Sequence, residues 1–142
     1  MKIAFYKGTR PGISGIYSIG VRAWTRSPYS HAELVFSDGM SASSSFVDGG
    51  VRFKRIAYNP VNWDFVEIGG DEATARQWFI DHEGEGYDLM GNAGFVVGFI
   101  RDSEFKWSCG ESIAAALGYL EPWRYSPAIL NSAAASAVFS LA

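Results

Sequence analysis

The sequence predicts an α+β fold that forms a single domain over residues 1–142. Apolar residues recur at helical spacing near the start of the chain and again in its last third, and four segments between them alternate with the two-residue period of strands. A helix, then several strands, then further helices is an element order of α+β proteins. With 142 residues, of which 48% are hydrophobic, the chain can bury one core without disulfides.

The first two elements are a strand and a helix. Residues 2–6 form a short strand candidate, which the breakers Gly8 and Gly12 end. Apolar residues fall near helical spacing over residues 13–24, which predicts a helix there. This helix stops at the Ser27-Pro28 turn, because the residue before a proline disfavours helical backbone angles.

Four strands are predicted next, over residues 31–36, 40–45, 50–56 and 63–68. The register of the first two depends on the turn Ser37-Asp38-Gly39. If this is a three-residue loop with Gly39 in the left-handed conformation, residue 36 pairs with 40 and residue 33 with 43, so that Ser43 shares a face with His31. A two-residue turn would shift the parity and place Ser44 on that face instead.

A second helix is predicted after Gly69-Gly70. Asp71 is a good N-cap, residues 75, 78, 79 and 82 lie on one stripe, and Gly84 ends the helix. The segment 86–100 is ambiguous, because its glycines weaken a helix although its apolar density indicates burial. Asp88 is expected to cap or turn the chain there.

Two helices complete the predicted fold. The first opens at Ser108 or Cys109 and runs through Leu117, and Gly118 suits the C′ position that follows a helix. The second begins at Ser126-Pro127, with serine as the N-cap and proline at the first helical position.

The composition excludes several classes of protein. The single cysteine, Cys109, cannot form an internal disulfide, and with only His31 and His82 beside it we expect neither a metal site nor a cofactor. A net charge of −3 and a pI near 5.3 lack the basic footprint that nucleic-acid binding requires. Nucleic acid is therefore not expected as a partner.

No targeting or membrane-spanning segment is predicted. The apolar run before Lys7 is too short for the hydrophobic region of a signal peptide. The longest apolar stretch, residues 93–100, is far shorter than the roughly 20 residues of a spanning helix. We therefore expect a soluble, cytoplasmic protein, and an unpaired cysteine agrees with a reducing compartment. The sequence does not indicate the oligomeric state.

Cys109 is the candidate nucleophile. A reactive cysteine needs a helix N-terminus that favours the thiolate, an imidazole that exchanges the proton and a polar group that orients the imidazole. Cys109 meets the first condition, and Gly110 leaves the neighbouring backbone N–H open to an oxyanion. Glu111 is interpreted as a helix-start charge. The simpler alternative for Cys109 is a small buried hydrophobic residue.

His31 is the candidate base. It begins a strand, and strand alternation places Glu33 on its face, so that Ser43 and Glu33 are alternative groups for orienting the ring. The simpler interpretation of Ser43 is a solvent-facing position on an edge strand. His82 is set aside, because a histidine in the last turn of a helix is most simply a partner of the helix dipole or a surface residue.

Three stretches of the sequence resemble one enzyme family. They are SPYSHAELVFSDG at 27–39, YD at 87–88 and FKWSCGES at 105–112. In order and spacing they resemble the circularly permuted NlpC-type papain-like hydrolases, especially the YiiX-like branch, and lecithin retinol acyltransferase-type enzymes share this permutation. In the permuted branch the histidine strand precedes the cysteine helix, as here. The resemblance extends from the Gly8-Thr9 turn to the Ser126-Pro127 turn and implies a papain-like antiparallel sheet.

The resemblance implies that Cys109 is the nucleophile, His31 the base and Ser43 the third polar residue. The serine is a departure, because relatives usually carry histidine, glutamate, glutamine or asparagine at that position. A serine hydroxyl is a shorter and weaker orienting group.

Three aromatic residues are candidates for the surroundings of the site. Tyr29 and Trp107 adjoin the two proposed catalytic residues and are candidate walls of a substrate groove. Tyr6, on the first strand, is a candidate for supplying a hydroxyl near the site.

Two functions agree with these residues. The first is a cysteine hydrolase acting on a peptide or acyl substrate; the resemblance suggests peptide amides of peptidoglycan first, and lipid acyl hydrolysis or transfer second. Without an export signal, such an enzyme would reach a cell wall by another route, such as a phage particle or lysis. The second is a catalytically weak or inactive binding module, or a phage-type accessory protein. In that case the serine at position 43, in place of a stronger orienting group, reflects the loss of catalysis.

Overall fold

The structure is a computed structural model that describes residues 1–9, 12–87 and 106–140. Within these residues the chain has the predicted α+β composition, in which helices pack on a largely antiparallel sheet. Asp88 and most of the ambiguous segment 86–100 lie outside the described residues, so the prediction for that segment stays open.

The sheet is built from five strands of five residues, β1 (Lys2–Tyr6), β2 (His31–Val35), β3 (Ser41–Ser45), β4 (Gly50–Lys54) and β5 (Trp63–Glu67). Two shorter strands extend one edge, β6 (Gly86–Tyr87) and β7 (Lys106–Trp107). The order across the sheet is β5-β1-β2-β3-β4-β6-β7, and only the β6–β7 pair is parallel. All five predicted strands are confirmed to within two residues at either end.

The described helices are α1 (Ile13–Thr25), α2 (Glu72–Asp81), α3 (Cys109–Ala116) and α4 (Pro127–Ser140), with a short 3₁₀ helix at Pro122–Arg124. The predicted caps are confirmed. The Asp71 side chain accepts hydrogen bonds from the N–H groups of Ala73 and Thr74. The Ser126 hydroxyl accepts one from the N–H of Ile129 at 3.3 Å. No helix among the described residues is long and apolar enough to cross a membrane.

The C-terminus of α3 shows why this helix stops where the sequence predicts. Gly118 has a φ of 73°, a left-handed conformation that glycine adopts without steric cost. Its N–H donates to the carbonyl of Ala115, and the N–H of Tyr119 donates to the carbonyl of Ala114. This pair of bonds is the Schellman arrangement, which satisfies carbonyls that the helix end leaves free.

The two faces of the sheet have different partners. The main core forms where helices cover one face, and its largest fully buried apolar residues are Ile3, Phe5, Leu34, Phe79, Ile113 and Leu130. On the other face a smaller cluster contains Ala4, Tyr6, Val35 and Trp63, and Tyr58 from the β4–β5 loop packs on it. Burial of apolar area on both faces supplies the main stabilisation of the fold.

The β2–β3 hairpin has the three-residue turn that favours one of the two predicted registers. Gly39 is left-handed with a φ of 81°, and the Phe36 N–H donates to the Met40 carbonyl at 2.9 Å. Leu34 pairs with Ala42, as this register requires. The register in which Ser43 lies opposite residue 33 is therefore the one that the turn selects.

The backbone pairing of β2 with β3 covers only residues 34–35 and 41–42, and beyond it serine hydroxyls take part in the hydrogen bonds. The Ser43 hydroxyl donates to the carbonyl of Ala32 at 2.7 Å. The N–H of Ser44 donates to the Ser112 hydroxyl of α3 at 3.1 Å. The first turn of α3 thus bonds to β3 at the end of the sheet where β2 begins.

Gly110, in the first turn of α3, is predicted to be essential for packing. A Cβ at this position would lie 2.0 Å from the carbonyl oxygen of Tyr125. We expect Gly110→Ala to lower the free energy of unfolding by about 1–3 kcal/mol or more, the usual effect of overpacking a core. Urea titration of the purified variant measures the loss.

Gly20→Ala is the matched control, because a Cβ at Gly20 in α1 would meet no atom within 4 Å among the described residues, apart from the neighbouring backbone of its own helix. This change is expected to raise the free energy of unfolding by roughly 0.5–1 kcal/mol, since alanine is the better helix former. Equal effects of the two substitutions would contradict the close packing at Gly110.

Candidate active site

Cys109 is the first residue of α3, and the helix start is tightly capped. The Ser108 hydroxyl accepts a hydrogen bond from the N–H of Glu111, and the Glu111 carboxylate accepts one from the N–H of Ser108. Glu111 is therefore the helix-start residue that the sequence predicts. The N–H groups of Cys109 and Gly110 are the two in the first turn that this box does not use. They and the helix dipole favour negative charge at Cys109.

Two buried serines fasten the start of α3 to the sheet. The Ser112 hydroxyl accepts from the N–H of Ser44 and donates to the carbonyl of Cys109 at 3.0 Å. The Ser44 hydroxyl donates to the carbonyl of Trp107 at 2.6 Å. These bonds fix the backbone on both sides of the cysteine. Sequence reasoning missed Ser112, although a serine beside the apolar run that begins at Ile113 was a signal.

The ring of His31 lies between the candidate nucleophile and a carboxylate. Its Nε2–H donates to Glu33 Oε1 at 2.7 Å, and the Cys109 side chain lies close enough to raise the pKa of the ring. Because Nε2 is used by Glu33, Nδ1 is the nitrogen available to the thiol. The edge of the Trp63 ring lies beside His31, with 6.4 Å between the ring centroids. His31 keeps 13% of its side-chain surface exposed, which leaves a route to solvent.

The protonated form of His31 is favoured by its neighbours. Burial alone lowers the pKa of the ring, but the hydrogen bonds and charges of Cys109 and Glu33 outweigh it and raise the pKa of His31 from 6.5 to about 9. A protonated imidazole beside a cysteine at a helix N-terminus is the arrangement that stabilises a thiolate.

Glu33 is fully buried and carries a paired negative charge. Arg52 Nη1 donates to its Oε2 at 2.8 Å, and Arg52 Nη2 donates to its Oε1 at 2.5 Å. Burial would raise the pKa of Glu33, but the hydrogen bonds from Arg52 and His31 hold that pKa below its usual value. The carboxylate that orients His31 is thus kept ionised by a two-pronged arginine contact.

The charged network continues beyond Arg52. Arg52 Nε donates to Asp48 Oδ2 at 2.8 Å, and Lys54 Nζ donates to Asp48 Oδ1 at 2.9 Å. These partners overcome the effect of burial and lower the pKa of Asp48 to about 2. Sequence reasoning missed Arg52. Strand alternation places Arg52 on the other face of β4 from the core residues Val51 and Phe53. Its partner depends on how β4 pairs across the sheet, which the sequence did not show.

Ser43 does not contact the His31 ring in the structure. Its hydroxyl donates to the carbonyls of Ala32 and Ser44, at 2.7 and 3.2 Å. The prediction that Ser43 orients the imidazole is therefore replaced by its stated alternative, Glu33. The physical reason is that the pairing of β2 with β3 ends before this point, and the serine hydroxyl satisfies a carbonyl that the ladder leaves free.

Tyr6 lies beside His31 in the sheet, and a role for its hydroxyl in the site stays a prediction. It is the partner of His31 in the β1–β2 register, and its ring packs on Trp63 at a centroid distance of 5.0 Å. Gly110 has a packing role that the sequence did not predict, because the carbonyl of Tyr125 approaches its Cα closely, and its role toward an oxyanion stays a prediction.

The two candidate groove residues have structural partners. The Tyr29 hydroxyl donates to Asp64 at 2.8 Å, and burial together with Asp64 raises the pKa of Tyr29 to about 12. The Trp107 ring packs edge-on against Trp78, and its indole N–H donates to Glu85. These contacts fix both side chains, and their role as groove walls stays a prediction.

His82 lies at the C-terminal end of α2, where the sequence predicts it. Its ring is stacked on Trp78 at a centroid distance of 3.9 Å, and Nδ1 donates to the Trp78 carbonyl at 2.7 Å. It therefore caps the end of α2, and His31 is the histidine that contacts Cys109. Within the described ranges no group of three or more His, Cys, Asp or Glu residues is arranged to hold a metal ion.

No family model matches this chain, and no curated protein is significantly similar to it. The geometry of Cys109, His31 and Glu33 is therefore what bears on the function.

Glu33→Gln is predicted to lower the pKa of His31 by about one unit or more, because it removes the negative charge that stabilises the imidazolium. Ser43→Ala is predicted to leave that pKa unchanged, since the hydroxyl bonds to backbone carbonyls. NMR titration of the His31 ring protons measures both. Equal shifts in the two variants would contradict the assignment of Glu33 as the orienting group.

The stability of the protein is predicted to fall as the pH rises above neutrality. The folded state raises the pKa of His31 from 6.5 to about 9, so this contribution is complete below pH 6.5 and is lost as the pH rises through about 9. Urea unfolding across this window is expected to show a steeper decline for the wild-type protein than for His31→Asn. Parallel declines would show that His31 is not the group responsible.

Proposed function

We propose that the protein is a cysteine-dependent hydrolase of the amidase or peptidase type, in which Cys109 is the nucleophile, His31 the base and Glu33 the group that orients His31. One observation carries the proposal. The His31 ring lies near enough to the Cys109 side chain for the two groups to interact electrostatically, and it hydrogen-bonds with a buried, ionised carboxylate. A nucleophile, a base and an orienting group in series are the minimum set for thiol catalysis.

The first half of the reaction forms an acyl-enzyme. His31 takes the thiol proton, and the Cys109 sulfur attacks the carbonyl carbon of the substrate. The N–H of Cys109, with that of Gly110 beside it, stabilises the oxyanion of the tetrahedral intermediate. The intermediate collapses as the imidazolium gives its proton to the leaving amine, which departs and leaves the acyl group on sulfur.

The second half releases the acyl group. His31 removes a proton from water, whose oxygen attacks the thioester carbonyl. The second tetrahedral intermediate expels the Cys109 thiolate, and a carboxylic acid leaves the site. Another acceptor in place of water would make the same site an acyltransferase.

A permuted papain-like arrangement is the fold that we propose for this site. It is supported by an N-terminal histidine strand within an antiparallel sheet and by a late nucleophile helix whose first turn bonds to the neighbouring strand. The third residue departs from the pattern of the resembling enzymes. Glu33 comes from the same strand as His31, whereas the family position corresponds to Ser43. A carboxylate stabilises an imidazolium more strongly than a hydroxyl does.

The substrate class rests on the resemblance alone. Amide bonds of peptidoglycan peptides are the first proposal, and ester or thioester bonds of lipids are the alternative. A cytoplasmic location and a phage source also remain proposals.

A catalytically inactive binding module is the second candidate function. The observation that favours it is the low exposure of Cys109, of which 3% is accessible. A nucleophile this enclosed would meet a large substrate only after neighbouring groups move. The two candidates differ in one measurable property, the reactivity of the thiol.

The proposal predicts that His31 controls the reactivity of Cys109. Iodoacetamide should alkylate Cys109 at a rate whose pH midpoint lies well below that of an ordinary thiol, whose pKa is about 8.5. His31→Ala should shift this midpoint upward and slow alkylation at neutral pH by about tenfold or more. Mass spectrometry of the modified protein measures the rate.

His82→Ala is the matched control, because it removes the other histidine, at the end of α2, and should leave the profile unchanged. An ordinary thiol profile that His31→Ala does not alter would contradict the enzyme and favour the binding module. Incubation with p-nitrophenyl acetate adds a catalytic readout, since an acetyl group on Cys109 that persists in His31→Ala but turns over in the wild type requires the base.

A further inference from the structure

We propose that Arg52 is a positioning residue of the active site, whose guanidinium balances the charge of Glu33 so that His31 and Cys109 can form a buried ion pair. This inference rests on the proposed function, because it concerns the ionisation of the same nucleophile. Arg52 is not one of the groups that would touch the reacting atoms. It acts through Glu33.

The geometry gives Arg52 a defined hold on the carboxylate. Two of its nitrogens contact the two oxygens of Glu33, at 2.8 and 2.5 Å, and the third donates to Asp48. Glu33 Oε1 also accepts from His31, so the carboxylate is held at both oxygens and its plane is fixed. A planar guanidinium fork matches a carboxylate in this way, whereas a lysine supplies one point of charge.

Among Cys109, His31, Glu33 and Arg52, the charges balance only when Arg52 is counted. In the reactive state the Cys109 thiolate and the Glu33 carboxylate are two anions, and the His31 imidazolium and the Arg52 guanidinium are two cations. Glu33 is fully buried, and 14% of the Arg52 side chain is exposed. Net charge on a buried cluster of ionised side chains is unfavourable, because water does not solvate the unpaired charge. Without Arg52, two anions face one cation and forming the thiolate becomes unfavourable.

The other ionisable groups around the network do not replace this balance. Asp48, from the β3–β4 turn, is itself paired with Lys54. Tyr58, from the β4–β5 loop, is neutral at ordinary pH, because burial raises its pKa. Tyr6, from β1, is the partner of His31 in the strand register. Glu111, in α3, accepts a hydrogen bond from the N–H of Ser108 in the capping box.

The inference predicts opposite effects for the two partners. Arg52→Met should raise the pH midpoint of Cys109 alkylation by iodoacetamide by about one unit or more, because forming the thiolate then creates net negative charge. Glu33→Gln should lower the midpoint, because the unpaired Arg52 cation then favours loss of a proton from both His31 and Cys109. The double variant should return it to within about half a unit of the wild-type midpoint, since one charge of each sign is removed.

Two further measurements separate charge balance from simple structural damage. Arg76→Met is the matched control, because Arg76, on α2, pairs with Asp38 of the β2–β3 turn, outside the network of Arg52, and should leave the midpoint unchanged. Thermal unfolding followed by circular dichroism shows whether each variant is folded. If Arg52→Met alone does not fold, the comparison is made in the Glu33→Gln background, where adding Arg52→Met should raise the midpoint.

The outcomes distinguish this inference from the proposed function. The inference is overturned if Arg52→Met and Glu33→Gln shift the midpoint in the same direction. It is also overturned if the double variant has the same midpoint as Arg52→Met. If His31→Ala shifts the midpoint and Arg52→Met does not, only the role of Arg52 is lost. A profile that His31→Ala leaves unchanged removes the proposed function itself.

Discussion

The buried carboxylate of Glu33 is the constraint on which the site depends. A charge removed from water costs several kcal/mol unless it is paired and hydrogen-bonded, so its neighbours are not free to vary. The structure meets this cost with two hydrogen bonds from Arg52 and one from His31. The same bonds orient the imidazole and favour its protonated form. Satisfying one buried anion therefore fixes the rotamers of a cation on β4 and of the candidate base on β2.

Cys109 is brought to this network by polar contacts between the helix and the sheet. The Ser44–Ser112 hydrogen bond holds the first turn of α3 against β3, where β3 no longer pairs with β2. The capping box fixes the direction of the helix. The N–H groups of Cys109 and Gly110, which the box does not use, and the helix dipole therefore act at the cysteine. Apolar packing alone would tolerate sliding of a helix on a sheet, whereas directional hydrogen bonds between buried partners set its position.

The parts that sequence reasoning predicted are governed by local rules. Capping residues such as Asp71 and Ser126 and the left-handed Gly39 act over a few residues, so helix starts could be predicted and the β2–β3 register could be narrowed to two alternatives. The choice between Glu33 and Ser43 could not, because it depends on where the ladder ends. Arg52 and Ser112 were missed because their partners lie far along the chain, as with Ser44 and Ser112, which are 68 positions apart. Alternation assigns a face to a residue but does not identify its neighbour.

The close approach of the Tyr125 carbonyl to Gly110 has a consequence for cooperativity. The first turn of α3 and the residues just before α4 meet backbone to backbone, with no side chain between them that could yield. The C-terminal segment cannot loosen locally without releasing the turn that carries Cys109. Slow opening of this segment, on the time scale of hydrogen exchange, would therefore change the reactivity of the Cys109 thiol. A part of the chain that gives no side chain to the proposed chemistry still determines how long the nucleophile stays in place.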